Sequence, residues 1–268
     1  HIKLDGFGID LLIIINYLYL IISLYHSSTI VELELLNLPI SQADSEAIGV
    51  IFKTQANLKR LTVVNCVLNE RNDKKQFYDN FLHLSLTHLK LKGCSGVEEI
   101  LSRANDSLEA LILEENEIYF TFGSLAGLIS KFKNMNCLVI NRNKIFPIGF
   151  SYFFKIVIDE LKLTELSLIN DGIFTRFMVE LLERGNNELL DTLTLSYHTD
   201  NSDLCSISPL AQFKSLQKLF LAHETFNVSH CSYIGSLFHP DNCLQLVSVL
   251  KNNNYKKITF TFPIYSPN

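Results

Sequence analysis

The sequence predicts an α/β solenoid, a right-handed horseshoe of stacked repeats with a parallel β-sheet on its concave face and helices on its convex face. Three observations support this prediction. A short apolar pattern recurs along nearly the whole chain, the residues between its copies follow helical spacing, and 47% of the 268 residues are hydrophobic. Stacked units of this kind share one continuous core that no single unit could bury.

The pattern is clearest at residues 108–118, LEALILEENEI, which read L-x-x-L-x-L-x-x-N-x-I. This is the signature of a leucine-rich repeat, in which the second and third leucines alternate like a buried strand and the asparagine begins a turn. Leu33, Leu61 and Leu89 hold the second leucine position at intervals of 28 residues. The position recurs at Leu111, Leu138, Leu166, Leu193, Leu219 and Ile258, which predicts about nine repeats.

Residues 1–29 form a predicted N-terminal unit, in which a partial repeat precedes an apolar helix. Ile2 and Leu4 hold its two strand positions, and we expect the start of this repeat to lie upstream of His1. Residues 10–25 are the most apolar run of the chain and are interpreted as the helix of the first repeat. A signal-peptide core and a transmembrane helix remain alternatives, but the run lacks a basic leader and is shorter than the roughly 20 residues a bilayer requires.

This first helix is predicted to be apolar all round, whereas a helix of this kind normally shows one face to water. We therefore expect its outer face, with Ile13 and Tyr17, to contact a partner or preceding sequence.

Residues 30–226 hold the regular repeats, where apolar residues between strands return at the spacing of a helix. The step from Leu89 to Leu111 is only 22 residues, which leaves open either a shortened helix or an irregular turn. At the turn, Asn116 and Asn143 are predicted to bond backbone groups of the neighbouring repeat. The predicted helical faces are Val97, Ile100, Leu101 and Ala104; Leu125, Leu128, Ile129 and Phe132; Phe150, Phe153, Phe154 and Val157; and Phe174, Phe177, Met178 and Leu181.

Cys66 and Cys94 stand at the turn position in two repeats, where a thiol supplies apolar bulk and a weak donor. Six cysteines in a chain of this length do not form the disulfide framework of a small secreted protein. We therefore expect an intracellular location, cytoplasmic or nuclear. The Asn-x-Ser triplets at Asn105 and Asn227 keep an extracellular receptor-type fragment as an alternative.

Residues 227–268 are predicted to form an irregular loop, a last helix capped by Asp241 and a capping strand. The spacing of the histidines and cysteines around this loop matches no compact zinc pattern, so no metal site is expected. No glycine-rich phosphate loop or nucleophile elbow is found either, so we predict no cofactor and no enzymatic activity. The residues considered as metal ligands are His223, His230, Cys231, His239, Asp241 and Cys243.

A period of about 28 residues, a helix in each repeat and Cys or Asn at the turn resemble the ribonuclease-inhibitor-like class of leucine-rich repeats. That class also includes the repeats of F-box adaptors, intracellular immune receptors and Ran GTPase-activating proteins. The resemblance covers residues 30–262 and implies fold and protein binding. Members share core positions rather than binding positions, so it implies no site residue.

The residues between the buried leucines are predicted to line the concave face. Glu32 and Glu34 make an acidic edge, which is followed along the sheet by a basic cluster, an apolar centre and a hydroxyl-rich end. The basic cluster is Arg60, His88, Lys90 and Lys92, and the apolar centre is Ile112, Val139 and Ile169. Apolar residues exposed in a row often mark an interface, although β-branched residues also suit strands in general. The predicted partner-binding residues are Arg60, His88, Lys90, Lys92, Ile112, Glu114, Val139, Asn141, Ile169 and Phe220.

The predicted function is a non-catalytic protein–protein interaction scaffold, a subunit or regulator in a larger assembly. With a net charge of −5, a general nucleic-acid binder is disfavoured. An RNA contact is expected only within a larger complex such as a ribonucleoprotein, with the basic cluster nearest the RNA. A GTPase-activating or ribonuclease-inhibitor-like regulator is the alternative. The sequence gives no sign of membrane insertion or of a homo-oligomer.

Overall fold

The structure, a computed structural model, describes the repeats in the middle of the chain and parts of both ends. The described residues are 1–6, 30–40, 42–68, 79, 81–116, 121–169, 177, 180, 188–197, 215–223 and 257–261. The predicted first helix with Ile13 and Tyr17, and the loop and last helix between residues 227 and 256, lie outside them.

Ten strands form one parallel sheet, in which spatial neighbours follow the order of the chain. The nine pairings between neighbouring strands align equivalent positions of successive repeats, so that Leu33 lies beside Leu61 and Leu61 beside Leu89. The molecule is thus an α/β leucine-rich-repeat solenoid. The strands are β1 (Ile2–Asp5), β2 (Glu32–Leu36), β4 (Arg60–Val64), β6 (His88–Lys92), β7 (Ala110–Glu114), β8 (Cys137–Asn141), β9 (Glu165–Ile169), β10 (Thr192–Tyr197), β11 (Lys218–His223) and β12 (Lys257–Thr261).

These strands match the predicted ones, including the two least regular positions. β1 confirms Ile2 and Leu4 as strand residues, because they lie in register with Leu33 and Leu35. β12 confirms the degenerate last copy, since Ile258 lies in register with Leu219. The short strands β3 (Pro39–Ile40) and β5 (Val67–Leu68) form a second, two-stranded sheet that the sequence analysis did not predict.

Helices cover the other face of the sheet. The helices whose bounds the structure describes are α1 (Gln42–Thr54), α2 (Val97–Arg103), α3 (Phe122–Ile129) and α4 (Phe150–Lys155), which continues into a π-helix (Ile156–Glu160). The 22-residue step from Leu89 to Leu111 holds the seven-residue α2, whereas the 28-residue step from Leu33 to Leu61 holds the 13-residue α1. The short repeat is therefore a repeat with a shortened helix.

The core lies between the sheet and the helices. The repeat leucines Leu33, Leu111 and Leu138 are fully buried, as predicted from their spacing. Phe122 contacts Phe150 and Phe153, with ring centroids 5.2 and 4.8 Å apart, and so joins α3 to α4. Rings at these separations add to the free energy of apolar burial itself.

From β2 to β11, the start of each strand is joined to the next strand of the sheet by a forked hydrogen bond. The carbonyl oxygen of Val31 accepts from the backbone N–H groups of Lys59 and Arg60, at 2.9 and 3.0 Å. Because every repeat braces its neighbour in this way, the sheet is a preformed and rigid surface. The same arrangement recurs at the carbonyls of Lys59, Thr87, Glu109, Asn136, Thr164 and Asp191.

The predicted turn ladder is confirmed. Asn143 donates from Nδ2 to the carbonyl of Leu113 at 2.9 Å, and its Oδ1 accepts from the backbone N–H of Asn116 at 3.0 Å. Cys94 and Cys66 donate through Sγ to the carbonyls of Val63 and Leu35, at 3.4 and 3.5 Å. Thiols thus replace asparagines at one structural position.

Candidate functional site

The concave face is built from the residues that alternate with the buried leucines. In β2, Leu33 and Leu35 are buried, whereas Glu32, Glu34 and Leu36 are partly exposed. Parallel pairing aligns such residues in rows across the sheet. The middle row runs Lys3, Glu34, Thr62, Lys90, Ile112, Val139, Ser167, Thr194, Phe220 and Thr259.

The predicted acidic edge contains a histidine that the sequence analysis did not include. His1 Nδ1 lies 3.1 Å from a carboxylate oxygen of Glu32, and its Nε2 lies 3.5 Å from Glu34. One ligand atom from each residue falls within 4.8 Å of the others, so in the described part of the chain this trio is the one group with the spacing of a metal site. Each ring nitrogen already faces a carboxylate, as an ordinary ion pair would require.

The basic cluster is partly neutralised by acidic residues of the adjoining repeat. Lys90 Nζ lies 2.9 Å from Glu114, and Lys92 Nζ lies 3.4 Å from Glu115. Arg60 is exposed, and His88 Nδ1 is 2.9 Å from the Thr87 hydroxyl. The side chains alternate in sign, so this surface suits a partner with mixed charge better than a run of phosphates.

The apolar centre is less exposed than predicted. Ile112 and Ile169 are half-buried, but Val139 is only 8% exposed. The expectation that Val139 forms part of an exposed row is wrong, because Ile112 and Ser167 lie in register on its two sides and cover it. Phe220, in the same row, is half-buried.

Asn141 lies half-buried beside the apolar centre. Its Oδ1 accepts from the hydroxyl of Ser167 at 2.8 Å. Because Ser167 is itself buried, this bond fixes the amide in one orientation and leaves Nδ2 as the group with capacity for a further partner.

Cys137 is the one partly exposed thiol among the cysteines of the described residues. Burial, and then the neighbouring carboxylate of Glu165, raise the pKa of this thiol to about 12. The thiol is therefore protonated at neutral pH and is a poor nucleophile. Burial likewise raises the pKa of Cys66 to about 12.

The rim at the carboxyl ends of the strands carries a feature that the sequence analysis missed. The residue after the strand takes a left-handed conformation at Asn37, Asn65 and Gly93, and also at Glu115 and Arg142, with φ of 53° and 55°. Asparagine and glycine tolerate this conformation, whereas it costs other residues about 1 kcal/mol. A comparison of the residue that follows the strand in each repeat would have shown that Glu115 and Arg142 stand where other repeats have asparagine or glycine.

Glu115 and Arg142 are joined at the rim by an ion pair of 3.6 Å, and Glu115 also contacts Lys92. A charged side chain at a left-handed position, where asparagine or glycine would be less strained, makes this exposed ion-pair network a candidate contact surface. We therefore add Glu115 and Arg142 to the candidate site.

Comparisons with protein-family models and with curated proteins found no match. Among solved structures, the chain is similar to an internalin from Listeria monocytogenes, with 12% sequence identity and a TM-score of 0.43. The similarity covers 90% of this chain and 69% of the internalin. The fold assignment rests on the repeat spacing and the strand ladder. In the part of the chain that the structure describes, no helix combines the length and apolar character needed to cross a bilayer.

Proposed function

We propose that the concave face binds a protein partner through the region of β6 to β9. The observation that supports this most directly is the half-exposed Ile112, which lies in register with Lys90 on a rigid ten-stranded sheet. An apolar centre bordered by paired charges resembles the core and rim of a protein interface. Because the sheet is preformed, little ordering entropy opposes binding.

We further propose that the protein is a non-catalytic scaffold, and a subunit or regulator of a larger intracellular assembly. The ribonuclease-inhibitor-like class is supported by the 28-residue steps and by cysteine or asparagine at the turn. A ribonucleoprotein role would use Arg60 and His88, because Lys90 and Lys92 are paired with glutamates.

The test is affinity capture from an extract of the source cells with the wild-type chain and two folded variants. Ile112→Glu places a charge in the apolar centre, and Asn134→Glu places the same charge on the exposed turn before β8. We expect a defined set of proteins to be lost with Ile112→Glu and retained with Asn134→Glu. If both variants retain every partner, the concave surface is not the binding site.

The alternatives have separate readouts. A GTPase-activating protein would accelerate GTP hydrolysis and would lose this activity with Arg142→Ala or Arg60→Ala. An extracellular fragment would carry glycan at Asn105 or Asn227. The first-helix variant Ile13→Glu/Tyr17→Glu tests the second proposed contact, and loss of partners with this variant alone would identify a subunit that docks through its N-terminal edge.

A further inference from the structure

A group of exposed apolar side chains lies in the segment that follows β8 and in the first turn of α4. Phe146, Ile148 and Tyr152 are 55%, 70% and 49% exposed, and together we call them the outer patch. Within the described chain, the other large exposed apolar residues are Val31, Val50, Leu82 and Leu189, none within five positions of another. Such scattered residues are normal, whereas three within one short segment indicate an interaction surface.

The backbone under the outer patch is fixed. The carbonyls of Phe146 and Ile148 accept from the N–H groups of Phe122 and Gly123, both at 3.1 Å. Gly149, with φ of +78°, approaches so closely that a Cβ there would lie 2.6 Å from the Cα of Gly123. The side chains of the outer patch are therefore held outward by hydrogen-bonded backbone.

The charged residues nearest in the chain to the outer patch are basic, and the first acidic residues after it are Asp159 and Glu160. Between residues 142 and 158 the chain carries Arg142, Lys144 and Lys155 and no acidic residue, although its net charge is −5. All three basic residues are exposed. Of the acidic residues near this segment, Glu115 pairs with Arg142 and Glu160 pairs with Lys133 at 3.0 Å.

Two further described carboxylates lie near this segment: Asp159, which is exposed and follows it, and Glu180. Glu180 accepts a hydrogen bond from the Ser151 hydroxyl and is buried. Lys144 and Lys155 lie two and three residues from the nearest member of the outer patch, whereas the exposed Asp159 lies seven away, so the charge directly beside the patch is positive.

We propose that the outer patch attaches the protein peripherally to an anionic phospholipid membrane. Aromatic and aliphatic side chains with lysine and arginine beside them are typical of surfaces that rest in the headgroup region. Ile148 is the most exposed large apolar residue of the described chain, so it projects outward. A projecting side chain can enter a fluid interface without a complementary pocket, whereas a protein partner would need an apolar pocket with an acidic border.

The experiment measures co-sedimentation of the whole chain with vesicles of phosphatidylcholine, with and without phosphatidylserine. We expect the wild type to bind only the phosphatidylserine vesicles, and to bind less as salt increases. Ile148→Asp removes the projecting side chain, and Lys144→Glu/Lys155→Glu reverses the local charge. The double lysine variant should lower the partition coefficient at least about tenfold, because each basic residue near an anionic surface contributes about fivefold. Ile148→Asp should lower it by at least about tenfold as well, because it replaces buried apolar area with a charge.

Two control variants make the same changes elsewhere. Leu189→Asp alters an exposed apolar residue, and Lys53→Glu/Lys162→Glu changes the net charge by the same amount. Both should bind like the wild type. The proposal is overturned if the wild type does not sediment with phosphatidylserine vesicles, as a purely protein-binding patch would behave. It is equally overturned if the patch variants bind like the wild type or the control variants lose binding to the same degree.

Discussion

The side-chain oxygen of Asn143 accepts two hydrogen bonds from Asn116, one from the backbone N–H at 3.0 Å and one from Nδ2 at 3.1 Å. Asn116 in turn accepts from the backbone N–H of Cys94 at 2.9 Å and donates to the carbonyl of Leu91 at 3.0 Å. Buried polar groups therefore connect three successive turns, and the side chain of each asparagine satisfies backbone groups of the preceding repeat.

Asn116→Ala is expected to lower the free energy of unfolding by about 3 kcal/mol, because it leaves the Cys94 N–H and the Leu91 carbonyl buried without their partner. Urea unfolding followed by circular dichroism would measure the change. Asn134→Ala, at an exposed position, should change stability by less than about 0.5 kcal/mol. Equal effects of the two substitutions would mean that the ladder does not stabilise the turns.

The repeat pattern predicted the strands because the alternation of leucines reflects burial, which the fold enforces at every repeat. The pairing of Ile258 with Leu219 and the bonds of Asn143 both follow from repeat position alone. The exposure of a concave residue depends instead on its cross-strand neighbours. Val139 is covered by two of them, and Lys90 is neutralised by Glu114 from a different repeat.

The rim also escaped prediction, for a related reason. The left-handed residues Glu115 and Arg142 follow strands whose core positions are ordinary, so the leucine pattern carries no signal of them. A comparison of the residue after each strand is needed to show that Glu115 and Arg142 replace the asparagine found at Asn37 and Asn65.

Two glycines are expected to respond in opposite directions to the same substitution. Gly93 has φ of +60°, and a Cβ there would lie 2.4 Å from Oδ1 of Asn65. Gly93→Ala should therefore lower the free energy of unfolding by about 1–2 kcal/mol. Gly127 lies exposed in α3 with no atom within 4 Å of its Cβ position, so Gly127→Ala should raise it by about 0.5–1 kcal/mol. Thermal melting of both variants tests the pair, and the same sign for both would contradict the turn geometry.

The thiol of Cys137 is expected to be slow to alkylate in the folded protein. With its pKa at about 12 instead of 9, its thiolate fraction at pH 8 is roughly a thousandfold below that of an ordinary thiol. Glu165→Gln removes the carboxylate that helps to raise this pKa, so it should increase the rate of iodoacetamide labelling at that peptide. Mass spectrometry would follow each cysteine, with the urea-unfolded chain as the reference. A folded wild type that labels as fast as this reference would show that Cys137 is neither buried nor protonated.

Val139→Glu and Ile112→Glu should separate folding from binding, although the two residues are adjacent in one row. A carboxylate at the buried Val139 position would lie between Ile112 and Ser167, neither of which is a cation. It should therefore lower the free energy of unfolding by about 2 kcal/mol or more. A carboxylate at the half-exposed Ile112 position lies in register with Lys90 and can reach water, so its cost should stay below about 1 kcal/mol. Parallel urea titrations measure both. If the two variants are equally destabilised, the concave centre is closed to partners at Ile112 as well, and the proposed binding surface would have to lie at the rim of Glu115 and Arg142.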